Sequence, residues 1–244
     1  MRKIEEKIFK TLMIVATLII VVSLFLIIIA IVKRGLPVMS WDMVSKIPGG
    51  GFYIGKEGGL LNAIVGSIYI VIGSITLGMF FSIPIVLYIN LYLPEKSKFA
   101  QLIRLSFDVL FGIPSIVYGA FGFTLMVYLG LRSSLLAGII TVTLLIVPIL
   151  IRSIDEVMRR VPSEMKDAAL SLGATKSEII NVILRQIIPG IITAILLAIG
   201  RGIGDAATVL FTAGYTDRIP TALNQPVATL PLAMLRPPSL LTPR

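Results

Sequence analysis

The chain has no cysteine and no histidine. Disulfide frameworks are excluded by that, and so are thiolate and imidazole metal centres. It also lacks a GxxxxGK[ST] sequence or any other glycine loop that would cradle a phosphate, so if ATP drives this protein, another chain binds it. Charge is scarce as well: 14% of the residues are Asp, Glu, Lys or Arg, against about 25% in an average soluble domain. No polar stretch is long enough to build a soluble domain with its own core. Neither an internal repeat nor a low-complexity tract is present.

Apolar sequence fills the space these absences leave. Hydrophobic residues make up 56% of the chain, and they gather in uncharged runs of about 20 residues, each long enough to cross a hydrocarbon core of ~30 Å. The pattern predicts a membrane protein with five spans, at about 11–32, 63–88, 109–131, 133–151 and 187–213. The first follows four basic residues, Arg2, Lys3, Lys7 and Lys10, and is too long for a cleaved signal peptide. Between the first two spans, Gly35, Pro37, Pro48 and Gly49-Gly50-Gly51 predict a loop, with Trp41 and Tyr53 as interface anchors. Gly66, Gly73 and Gly78 would let the second span approach a neighbour closely, and Pro84 would kink it. Residues 94–108 read as a short loop. The Gly112-Ile113-Pro114 step would interrupt the third span, leaving open a site beside a pore or an ordinary kink.

Sidedness follows from the basic residues. Thirteen of the 22 Lys and Arg fall on the side that carries the N-terminus, which the positive-inside rule makes cytoplasmic. Their spread through loops, and not along one helix face, argues against nucleic acid as a partner and explains the net charge of +9 by topology.

Two stretches carry chemistry. The first is the insert at 161–186, VPSEMKDAALSLGATKSEIINVILRQ, on the predicted cytoplasmic side. Met165, Ala168, Ala169 and Leu172 share one small apolar helical face, and Gly173 suits the left-handed residue that ends a helix. Thr175 and Glu178 then have the spacing of a capping box. The second stretch is GRGIGDAATVLFTAG, where Arg201 and Asp205 stand four residues apart near the middle of the fifth predicted span. Each charge costs roughly 2.5–3.5 kcal/mol at the bilayer centre, so the pair needs a reason to be there. It either fixes helix packing as a buried ion pair or places Arg201 on an anion path, with Asp205 holding or gating it and Thr208 and Thr212 as hydroxyl donors.

The run Asp167-Ala168-Ala169, three further residues and Gly173 resembles the EAA signature of bacterial ABC importer permeases, which usually opens with Glu where this chain has Asp167. Ile187, Ile188 and Pro189 loosely match its apolar-Pro ending. More specific is the likeness of IGRGIGDAATVLFTAG to the Arg-x-x-Gly-Glu-Thr-Ala-Pro-Leu-Leu-Phe-Thr-Ala stretch of the phosphate ABC importer permeases, the PstA family. Here Asp205 stands for Glu, Ala206 for Thr and Thr208 for Pro. GIPSIVYG in the third span and KEGGLLNAIVGS before the second also resemble that family, so the likeness runs from Gly58 to Gly214.

The resemblance implies an all-α polytopic transmembrane bundle of the type I, MetI-like permease kind, seated in the plasma (inner) membrane of a prokaryote. It implies no enzyme activity, with ATP and Mg bound by a partner ATPase dimer and no metal or cofactor in this chain. Met165, Asp167, Ala168, Ala169, Leu172 and Gly173 would form the ATPase-coupling helix, and Arg201, Asp205, Thr208 and Thr212 the anion pathway. A related second permease subunit, an extracytoplasmic phosphate-binding protein and membrane lipid complete the implied partners. The family's sixth span would fall where the chain reads LPLAMLRPPSLLTPR, a Pro-rich tail within 215–244 that predicts no span. Sulfate or molybdate as cargo, the sister phosphate permease, and an ion-coupled secondary transporter are the alternatives.

Overall fold

The computed structural model describes residues 2–48, 59–94 and 97–235, except for the side chains of Arg2, Lys3, Ser163, Lys166 and Lys176. The Gly49-Gly50-Gly51 run, Tyr53, Lys56, Gly58, Lys96, Pro237, Pro238 and Pro243 lie outside the described residues. The chain divides into two compact units, residues 1–44 and 45–244.

The first unit is dominated by α1 (Arg2–Gly35), 34 residues long and followed by a short 3-10 turn at Leu36–Val38. Its apolar residues point in every direction and are exposed, as expected of a helix solvated by lipid on all sides. A brief α2 (Trp41–Ser45) follows at the junction.

The second unit is a bundle built around α6 (Leu135–Arg159). α3 (Leu61–Leu87) and α8 (Lys176–Ile203) pack on it, and the buried core runs through Ile70, Ile139, Ile146, Leu150, Ile183 and Ala194. Between lipid-solvated helices the hydrophobic effect offers little, so close packing has to hold them. Glycine supplies the closeness. A Cβ on Gly73 would stand 2.6 Å from the Ile139 side chain and one on Gly78 2.9 Å from Leu150, so these α3 positions do allow close helix contact. The Ser74 hydroxyl adds a bond across the same seam, donating to the Ile139 carbonyl at 3.0 Å.

Among the described residues, four helices are long and apolar enough to cross a membrane, or five when one bent pair counts as a span. That pair is α4 (Lys98–Phe111) and α5 (Ser115–Tyr128), which meet at 101° across Gly112-Ile113-Pro114. The interruption expected there is present. The loop expected at 94–108 is not: it is mostly α4, an amphipathic helix whose charged residues hid its period. The helix at the expected third span is α5, which starts six residues later than expected at Ser115 and, with 14 residues, is long enough to cross only when counted together with α4.

Two further boundaries move. α6 continues through Arg159, because Ile154 and Met158 keep the inward helical spacing after the uncharged run ends. The fifth span, expected to reach Ala213, stops at Ile203. Three glycines at 200, 202 and 204 weaken the helix there, and Asp205 caps a new short helix, α9 (Ala206–Val209).

The chain then returns over the end of the bundle that holds the start of α3. Backbone N–H groups of Ser134, Leu135 and Leu136, which have no partner inside α6, donate to the carbonyls of Thr212, Gln225 and Leu223 at 2.8–2.9 Å. Val227, Ala228 and Leu232 are buried, the last in α10 (Leu230–Leu235). A Cβ at Gly66 would collide with the Ala228 carbonyl. The described part of the Pro-rich segment is thus integral to the bundle.

Candidate functional site

At the opposite end of the bundle the insert forms α7 (Ser163–Ser171), a turn and the first residues of α8. Ala174 N–H donates to Ala169 C=O at 3.0 Å and Gly173 N–H to Leu170 C=O at 2.9 Å, the two bonds of a Schellman ending. The motif requires a left-handed residue, and Gly173 has φ +79°. α8 begins with the expected capping box. Glu178 N–H donates to the Thr175 hydroxyl, and Thr175 N–H donates to the Glu178 carboxylate at 2.7 Å.

The small apolar face expected on α7 is divided. Met165 and Ala169 are half-buried, with Ala169 packed against the core, whereas Asp167, Ala168 and Gly173 are exposed. Leu172 stands at the helix end with 90% of its surface open.

Arg201 and Asp205 do not lie in the middle of a span. Arg201 sits in the last turn of α8, and Asp205 follows the helix as the cap of α9, accepting the Thr208 N–H at 3.0 Å. Their single contact is Arg201 Nε to Asp205 Oδ2 at 4.0 Å, with the arginine side chain 50% exposed and the carboxylate 8%. Thr208 and Thr212 are fully buried. The Thr208 hydroxyl donates to the Ser115 carbonyl and so braces α9 against α5, while the Thr212 hydroxyl donates back to the Thr208 carbonyl. Gly119 permits that contact, since a Cβ there would come 2.5 Å from the Ala207 carbonyl.

Arg201 borders two cavities. One, a shallow open depression of about 390 Å³, is lined by Ser115, Gly200, Gly204, Asp205, Ala206 and Ala207. The other, of about 360 Å³, lies between α4, α5, α6 and α8 and takes in Tyr118, Arg152, Ser153 and Glu156. Gly200 has nothing within 4 Å of where a Cβ would be, which keeps the space beside Arg201 open. A half-free guanidinium between two cavities can bind an oxyanion through its planar fork.

The charged residues around Arg152 were not singled out in the sequence. Arg152 pairs with Asp108 at 3.1 Å and lies over the Phe111 ring at 5.1 Å. Next to it, Arg104 donates to Asp155 from Nε at 2.9 Å and from Nη2 at 3.2 Å. Asn90 completes the group, donating to Asp155 at 2.6 Å and accepting from Arg104 at 3.1 Å. One signal was available: Arg152 and Asp155 interrupt the inward row Ile151, Ile154, Met158 without breaking its helical spacing.

Comparison with known proteins identifies the family. Residues 75–236 match the family described as binding-protein-dependent transport system inner membrane component. The chain is 36% identical to the phosphate transport system permease protein PstA of Xylella fastidiosa (strain 9a5c) over 209 residues, covering 84% of this chain and 70% of that one. It is 32% identical to PstA of Pasteurella multocida (strain Pm70) over 238 residues, covering 96% and 82%. Among solved structures it resembles a chain of the MetNI methionine ABC transporter in inward-facing conformations, with TM-score 0.53, 18% identity and coverage of 63% of this chain and 71% of that one. At that identity the last likeness concerns the fold, which is that of a type I ABC permease.

Proposed function

Because the chain belongs to the PstA family of phosphate transport system permeases, multi-pass components of the inner membrane, we propose that it carries inorganic phosphate through an ATP-driven importer. It forms half of the path beside a related second permease, takes phosphate from an external binding protein and is driven by two partner ATPase subunits that hold ATP and Mg. Its N-terminus and α7 face the cytoplasm. The observation that carries this reading is the placement of Arg201, half free between two cavities, at the far end of the helix that begins at the α7 turn.

The mechanism follows from that continuity. α8 runs unbroken for 28 residues, about 42 Å at 1.5 Å per residue. α7 docks on the ATPase through Leu172, Ala168 and Asp167, and the Gly173 turn fixes its angle to α8. When the ATPases close on ATP, α7 moves with them, and α8 transmits the movement to Arg201 and to the Asp205 cap behind it. Access alternates as the spans repack between two arrangements. The chain itself makes and breaks no bonds.

The test is uptake of labelled phosphate into vesicles holding both permeases and the ATPase, with binding protein supplied outside. Phosphate uptake that depends on ATP and resists excess sulfate and molybdate is the expected result. Equal competition by those ions would move the assignment to another tetrahedral oxyanion. Gly173→Trp, which is strained at φ +79° and bulky, should abolish co-purification of the ATPase. Retained association and uptake would remove α7 from the coupling role.

A further inference from the structure

We propose that α4 is an interfacial helix, lying along the cytoplasmic boundary of the bilayer with one face set into lipid. The inference concerns how the bundle meets the membrane and does not depend on the cargo.

α4 carries three stripes. Ala100, Ile103 and Phe107 repeat at i, i+3 and i+7 on the inward side, where Ala100 is buried and Phe107 packs on the core. Gln101, Arg104 and Asp108 repeat at the same spacing beside them, and the last two are ion-paired to Asp155 and Arg152 of α6. Phe99, Leu102, Leu105 and Val109 form the third stripe, within about 120° of arc at 100° per residue. All four are more than half exposed, and no described residue covers them.

A helix resting on a water-soluble protein needs one apolar stripe. A second one, turned outward, requires a second apolar medium. Three observations identify that medium as lipid. α5, across the 101° bend, also exposes apolar side chains, at Ile116, Val117 and Phe121, as a helix in lipid does. The bend itself turns α4 away from the direction of that segment. And α4 meets α6 at Arg152 and Asp155, where the apolar sequence of α6 gives way to charge, so its depth is that of the interface. Lys98, exposed on the outward side of the first turn, can reach lipid phosphates while its stem stays along the apolar stripe.

Because the chain contains no cysteine, single probes can be placed without other changes. Leu102→Cys, Leu105→Cys and Val109→Cys on the outward stripe and Gln101→Cys on the polar stripe would each carry a nitroxide. The full chain is reconstituted in phosphatidylcholine–phosphatidylglycerol vesicles and relaxed by oxygen, which concentrates in lipid, or by a water-soluble nickel chelate. Oxygen should dominate at the three outward positions and the chelate at Gln101, with a single monodisperse size-exclusion peak in detergent as the check that each labelled protein is folded. Dominance of the chelate at the outward positions would show that they face water. Exclusion of both reagents there would show protein on the stripe, a second copy included. Either result overturns the proposal.

Discussion

Arg104 and Asp155 meet in two hydrogen bonds, at 2.9 and 3.2 Å, whereas Arg201 and Asp205 approach each other once, at 4.0 Å. The first pair joins different helices, is 22% and 10% exposed, and has Asn90 as a further partner of both members. The second belongs to one stretch of chain, and its carboxylate is shared with the α9 cap. A buried charge whose partners satisfy it has little left to offer a ligand. A charge held loosely, with open space around it, has most of its binding capacity in reserve. The geometry therefore has Arg104 and Asp155 holding α4 against α6, and leaves Arg201 available for the cargo role proposed above.

That division can be broken from either side, beginning with the larger effect. Asp155→Ala leaves the Arg104 guanidinium buried without a counter-charge and should cost about 3–5 kcal/mol in the unfolding of the purified protein. Replacing both partners, Arg104→Met with Asp155→Leu, should recover most of it. An unchanged stability in Asp155→Ala would show that the pair does not hold the fold. Arg201→Ala should do the opposite: unfolding unchanged, but phosphate uptake reduced about 100-fold, or ~2.7 kcal/mol. Arg201→Lys keeps the charge and loses the fork, so partial uptake is expected. Normal transport by both would return Arg201 to a packing role. Asp205→Asn keeps the cap, since asparagine accepts the same backbone N–H, and removes only the charge. A roughly tenfold change in uptake, ~1.4 kcal/mol, would assign that charge a part in transport. No change would confine Asp205 to capping α9.

Where a single local rule decides an element, the sequence is enough. The Gly173 turn and the Thr175–Glu178 box are settled within a few residues by backbone conformation and capping, and both stand as the spacing predicts. The Gly112-Ile113-Pro114 break is of the same kind. α4 was not legible because its period is divided among three stripes, which a count of charges reads as a loop. The Arg104–Asp155–Asn90 group joins positions up to 65 residues apart, and no spacing rule connects them. The end of α8 lay between the two cases. The three glycines were visible, but ending the helix at Ile203 also required Asp205 to cap α9. Thr208 and Thr212 looked like free donors because helical spacing places hydroxyls on a face without saying that a carbonyl of α5 or α9 already accepts them.

A third ion pair sharpens the comparison because its distance is the shortest and its expected effect the smallest. Glu156 and Arg160 approach to 2.5 Å at the end of α6, yet their side chains are 64% and 74% exposed. The spacing is favourable, with Glu four residues ahead of Arg and the cation near the helix C-terminus. Water solvates both charges equally well once they separate, so the pair should contribute only about 0.3–0.5 kcal/mol. Glu156→Gln should therefore shift unfolding barely above measurement error, and the shift should vanish near 1 M salt, where screening acts over ~3 Å. Asp155→Ala should keep its full effect at the same salt concentration, because little electrolyte reaches the site. If Glu156→Gln cost as much as Asp155→Ala, separation and not burial would govern these pairs, and the loose 4.0 Å contact at Arg201 would no longer mark it as free for cargo.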